Sequence, residues 1–183
     1  LIIKDINIVK NIYAIYGDEN TPLYLPPAYQ SQLKLGDNIG GINPLILRIN
    51  PDSNYDSWMT LGITDGDTSN LVSSVGIDFA EWTSMNGISV DNGAIFALNP
   101  GENIVEGREY IVGQMTVLTD SNYCAILNVQ GKWIDNSLHE KIWWKEENIR
   151  FDLISPRNIV HETVPNNCIR WYDGCNTCSV ING

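Results

Sequence analysis

Apolar residues in this chain recur in short runs rich in β-branched and aromatic side chains, each closed by a cluster of Gly, Asn, Asp or Pro. That pattern constrains the fold more than any other feature, because a helix needs an apolar stripe of period 3.6 sustained over three or more turns. The runs Ile2 to Val9, Ile12 to Tyr16, Leu45 to Ile49, Trp58 to Ile63, Val72 to Asp78, Ile88 to Val90, Ala94 to Leu98, Glu109 to Thr119, Cys124 to Gln130 and Lys141 to Ile154 predict strands. A single helical turn is expected at Phe79 to Ser84. Asp91-Asn92-Gly93 carries the strongest hairpin signal, since Asn-Gly tolerates the positive φ of a tight primed turn. Gly113, where the apolar set of Tyr110 and Val112 gives way to that of Met115 and Val117, predicts a bulge or a close backbone approach.

These runs predict an all-β chain, specifically an immunoglobulin-like antiparallel β-sandwich over residues 1–155, followed by a Cys-rich tail over 156–183. At 183 residues the chain is long enough for one sizeable core. Ile149, Phe151 and Leu153 alternate with polar residues as a half-exposed strand does. The first ten residues behave differently. Ile6 and Ile8 alternate with Asp5 and Asn7, and Ile2 precedes them, but no hairpin ties this terminal strand to a neighbour. Such a strand completes its own sheet or is exchanged into the next copy.

The tail holds Cys168, Cys175 and Cys178, and the fourth cysteine is Cys124. Cys175-x-x-Cys178 reads as parts of disulfides, as a zinc knuckle or as a redox pair. No apolar-periodic helix follows it, as a redox motif needs, and only one pair has zinc-ribbon spacing. Disulfides are expected, and every full pairing of four cysteines ties Cys124 to the tail. Oxidised cysteines imply an extracellular address, and a chain that begins at Leu fits a processed, exported product.

Charge narrows the partners. Eleven Lys+Arg against 22 Asp+Glu give a net charge of −11, which disfavours a nucleic-acid partner. No apolar run reaches the roughly 18 residues of a membrane helix, so no membrane span is expected. Asp65 and Asp67 open a segment like a calcium loop, with Asp18 or Asp120 as further donors, but Asn70 and Gly76 stand where an EF-hand needs glycine and glutamate. Ca²⁺ there is the one metal candidate; no other metal and no cofactor is expected.

No catalytic constellation emerges. His139 and His161 lie in no metalloprotease motif and beside no nucleophile signature. The chain is expected not to be an enzyme. Six tryptophans are a richer signal, with Trp133, Trp143, Trp144 and Trp171 in the last third beside Tyr172. Adjacent Trp143 and Trp144 on a strand must point to opposite faces, which makes them candidates for stacking on a sugar ring or for packing under a neighbouring subunit. Asn122-Tyr-Cys124, Asn166-Asn-Cys168 and Asn176-Thr-Cys178 fit the rare Asn-x-Cys form of a glycosylation site.

The strings Tyr55-Asp-Ser-Trp-Met-Thr-Leu-Gly62, Val75-Gly-Ile-Asp-Phe79, Asp91-Asn-Gly-Ala94 and Gly107-Arg-Glu-Tyr-Ile-Val-Gly-Gln-Met-Thr116 resemble secreted β-sandwich modules of surface proteins from aquatic microbes and algae. The tail from Trp171 to Gly183 is similar to small Cys-rich units in extracellular proteins of algae and their large viruses. The resemblance implies a non-catalytic surface or fibre component. The expectation is therefore a structural subunit that self-assembles with identical copies into an extracellular filament or surface layer, using Ile2, Ile6, Ile8, Trp171 and Tyr172. The alternative is a carbohydrate-binding adhesin or virion surface protein that contacts glycan through Trp143 or Trp144.

Overall fold

The computed structural model describes residues 1–4, 11–31, 38–69, 71–99, 109–119, 122–135, 140–154, 170–172 and 177–179; at 11, 133–135, 140–142, 154, 170–172 and 177–179 it describes the backbone alone. The chain is mostly β. Thirteen strands are described: β1 Ile2–Lys4, β2 Asn11–Gly17, β3 Leu23–Leu25, β4 Trp58–Met59, β5 Val72–Val75, β6 Ile88–Val90, β7 Gly93–Ala97, β8 Glu109–Ile111, β9 Gly113–Gln114, β10 Asn122–Asp135, β11 Glu140–Ile154, β12 Arg170–Tyr172 and β13 Thr177–Ser179. Every strand pairing is antiparallel.

Seven strands form one sheet around β10. Along one edge of β10 lies β11, and along the other lie β2 and β3 in succession: Tyr16 faces Asn128, and Tyr24 faces Ile126. Thus β2 and β3 are one long strand interrupted where residues 18–22 leave the sheet and return. Asp18 closes that excursion by accepting the N–H groups of Asn20 at 2.9 Å and Thr21 at 2.8 Å. The next strand repeats the device. β6 faces β3 and β7 faces β2, with Asp91-Asn92 between them. Sequence reasoning expects a hairpin there. Instead Asp91-Asn92 is a break within one strand, because Ile88 and Val90 find partners in Leu25 and Leu23 rather than in β7. At this crease the backbones come so close that a Cβ on Gly17 would lie 1.9 Å from the carbonyl oxygen of Val90.

A second, smaller ladder runs through residues 109–114. β1 pairs with β8 on one side, and β4 pairs with β9 on the other. The amides of Thr60 and Gly62 extend the second contact by donating to the carbonyls of Val112 and Ile111. The close approach expected at Gly113 is present, since a Cβ there would meet the Trp58 carbonyl oxygen at 2.8 Å.

Both ladders share one core. Ile15, Leu23, Leu25, Ile95, Leu127 and Val129 of the large sheet are fully buried in one cluster with Met59 and Val112 of the small one. At about 2 kcal/mol for each large aliphatic side chain removed from water, this cluster supplies the main driving force for folding. Trp82 completes it from the 3-10 turn Phe79–Glu81, the single helical turn expected there, and donates its indole N–H to the Pro26 carbonyl at 2.8 Å.

One expected strand is a helix. Leu45 to Ile49 lies in α1, Pro44–Ile49, capped by Asn43, whose side chain accepts the Leu45 N–H at 2.9 Å. Asn followed by Pro is a helix start, with Pro at the first helical position where its missing N–H costs nothing; the β-branched content of the run outweighed that signal. The tail contains an unexpected element: β12 and β13 pair, Trp171 with Cys178.

Candidate functional site

The large sheet turns one face to the core and the other outward. Strand alternation places Lys132 of β10 and Trp143 of β11 directly opposite each other on the outer face. The Lys132 Nζ stands 4.0 Å from the Trp143 ring centroid, a cation–π contact, and 5.8 Å from that of Tyr13 on β2. Tyr13 meets Trp143 edge-on, with centroids 5.7 Å apart and planes at 82°. Trp143 is 63% exposed despite these contacts. The result is a flat aromatic surface braced by a second ring and a cation.

The outer face continues as a polar row. Tyr16 donates to Glu147 Oε1 at 2.8 Å, and Lys145 Nζ reaches the same oxygen at 2.7 Å. Lys145 and then Tyr16 hold the Glu147 carboxyl below the usual range, while burial, reinforced by Glu147, pushes the Tyr16 phenol well up. Each direction favours a standing network of charge-assisted hydrogen bonds. Beneath it sits Asn128, with no exposed surface.

Of the two tryptophans expected to contact glycan, Trp143 is open and Trp144 packs against the core. Trp144 lines a cavity of about 240 Å³ between the large sheet and β1, with Ile3, Ile12, Tyr110, Glu146 and Ile149. A larger cavity, about 400 Å³, has apolar walls from Pro27, Tyr29, Tyr55, Val117 and Leu118, with Asp52 on its lining. Sequence reasoning missed it, because Asn50-Pro51-Asp52 reads simply as a turn.

A buried polar knot underlies that region. Asp56 Oδ1 accepts the N–H groups of Ser31 at 2.7 Å and Ser57 at 3.1 Å, and Asn50 Nδ2 donates to Ser53 Oγ at 2.9 Å and Ser31 Oγ at 3.2 Å. Burial pushes the Asp56 carboxyl up, against the two amides that pull it down. These bonds fix the 3-10 turn Pro51–Tyr55 to the segment at Ser31.

The calcium candidates serve their own loop. Asp65 Oδ1 accepts the Asp67 N–H, Asp67 Oδ1 accepts the Ser69 N–H, and among the described residues no three His, Cys, Asp or Glu side chains converge. Asp18 caps its own turn, and Asp120 lies outside the described residues, as do His139 and His161. The Cys124 thiol is free, Cys168 and Cys175 lie outside the described residues, and Cys178 is described by its backbone alone. Among the assembly residues, Ile2 is 48% exposed on β1, Trp171 and Tyr172 lie on β12, and Ile6 and Ile8 fall outside the described residues. No described helix is long and apolar enough to cross a membrane. Compared with protein-family models, with curated proteins and with solved structures, the chain matches none.

Proposed function

We propose that this chain is a non-enzymatic structural subunit, an immunoglobulin-like sandwich that self-assembles with identical copies into an extracellular filament or surface layer. One observation carries the reading: among the described residues the large sheet is open at both ends, with β11 at one edge and β5 at the other. Open edges are templates for another strand, which soluble proteins ordinarily shorten or cover, and β11 is fifteen residues long. The N-terminal strand fits the same picture, since its pairing with β8 can form within a copy or between copies. In this reading oxidation ties Cys124 to the tail and leaves β12 and β13 as an arm on the sandwich. Sedimentation from micromolar to millimolar protein, with electron microscopy of the concentrated sample, tests the assembly. Growing oligomers or filaments are expected, and a monomer at every concentration defeats the proposal.

A second reading is supported by the Trp143 surface. A braced, exposed indole beside a fixed cation suits the apolar face and hydroxyls of a sugar ring, as a carbohydrate-binding adhesin requires. Glycan-array binding that disappears in Trp143→Ala and survives in Trp144→Ala supports it; no binding by the unmodified chain removes it.

A further inference from the structure

We infer that two copies of this chain join edge to edge through β11, antiparallel, about a two-fold axis at Ile149. The inference rests on the proposed self-assembly and gives it a register. No described strand lies on the edge of β11 away from β10. Positions along β11 can be counted on its partner. Ile149 faces Leu127, Lys145 faces Gln130 and Asp152 faces Cys124, the last two each three residues from Leu127. The bulge between the Leu127 and Val129 pairings, where Asn148 takes a φ of 57°, absorbs the extra residue. Lys145 and Asp152 are therefore equidistant from Ile149.

A second β11 turned about that axis sets Lys145 of each copy opposite Asp152 of the other. By the same count Arg150 stands opposite the bulge that carries Glu147, Glu146 opposite Phe151, and Trp144 opposite Leu153. Both outward charge pairs are opposite in sign. Their side chains are accessible, 64% for Lys145, 29% for Glu147, 58% for Arg150 and 39% for Asp152. Each already has a partner along its own strand, Lys145 with Glu147 and Arg150 with Asp152, so joining two copies makes a continuous row of alternating sign.

Neighbouring registers are penalised. Side chains keep to their faces only if the axis moves so that pairing slips by two residues, since a one-residue slip exchanges the faces. One such slip sets Lys145 opposite Arg150, and the other sets Asp152 opposite Glu147 and Arg150 opposite itself. Like charges directly opposite destabilise a ladder. Two copies that each carry a net charge of −11 also repel over most of their surface; this row is neutral in sum, so it is where approach costs least.

The test uses two single variants of the full chain, K145D and D152K, with melting curves to confirm that both fold. In the inferred register each variant sets like charges opposite each other twice, and roughly tenfold weaker self-association than the parent is expected, from two reversed cross-strand pairs. Mixed one to one, K145D and D152K restore both opposite-charge pairs and associate as tightly as the parent. Variants that self-associate like the parent, or a mixture no tighter than either alone, overturn the register while leaving assembly in place. A parent chain that is monomeric throughout overturns the register and the assembly together.

Discussion

The side-chain oxygen of Asn128 accepts the backbone N–H of Asn148 at 2.8 Å, at the point where Asn148 takes the left-handed conformation that makes the β11 bulge. On its other side the Asn128 amide donates to the carbonyls of Tyr16 at 2.9 Å and Thr21 at 2.6 Å, the two groups left without a ladder partner where residues 18–22 leave the sheet. One buried side chain thus closes gaps on both edges of β10. Replacing it with alanine removes a hydrogen bond from each of two carbonyls and one N–H, and leaves the Thr21 carbonyl only the Asp18 N–H at 3.2 Å. Asn128→Ala is expected to cost about 3 kcal/mol of stability, measured by urea unfolding.

The crease allows no side chain at position 17. Gly17 lies where a Cβ would also meet the Leu23 nitrogen at 2.6 Å, and both obstacles are backbone atoms that cannot rotate aside. Gly17→Ala should therefore lose at least ~3 kcal/mol, more than overpacking a core with one methyl usually costs. The melting temperature checks it.

Asp56 makes stability depend on pH in an unusual direction. Its pKa is raised on folding, so the folded chain favours the protonated acid. That contribution is fully present below the unfolded pKa and is lost as pH rises through the folded one. Asp56→Asn keeps an oxygen for the Ser31 and Ser57 amides without the buried charge. It is expected to melt above the parent at pH 7, with the difference shrinking as pH falls towards 3. An unchanged difference across that range would contradict the assignment.

Lys132 and Trp143 should be energetically coupled. A cation–π contact at a largely exposed ring contributes about 0.5–1 kcal/mol. In a double-mutant cycle, Lys132→Met should destabilise the parent by that amount and leave Trp143→Ala almost unaffected. Equal effects in both backgrounds would mean that the contact carries no energy.

Alternation made much of this architecture legible. Tyr110 with Val112, and Ile149 with Phe151, revealed which side of each strand meets the core, and the opposite facing of Trp143 and Trp144 followed from their adjacency alone. Pairing between distant segments was not legible. The hairpin expected at Asp91-Asn92-Gly93 is a turn signal that tertiary pairing overrode, because Val90 and Ile88 pair with Leu23 and Leu25, both fully buried, rather than with β7. The role of Asn128 was equally hidden: an asparagine between Leu127 and Val129 reads as an ordinary outward residue, and only the interruption of β2 and β3 on one side and the β11 bulge on the other give it three backbone groups to satisfy. Lys132 gave no signal either, since its contact with Trp143 depends on the β10 to β11 register.

The position of β10 has a mechanical consequence. It is the strand through which β11 is joined to the rest of the large sheet. If copies join along β11, tension along the assembly pulls parallel to the inter-strand hydrogen bonds and is shared by every rung between β10 and β11 at once. The load then passes into β2 and β3 through the short stretches around Tyr16 and Tyr24, where fewer rungs bear it. Under strain such a pair would part within a subunit, at the crease bridged by Asn128, before it parted between subunits.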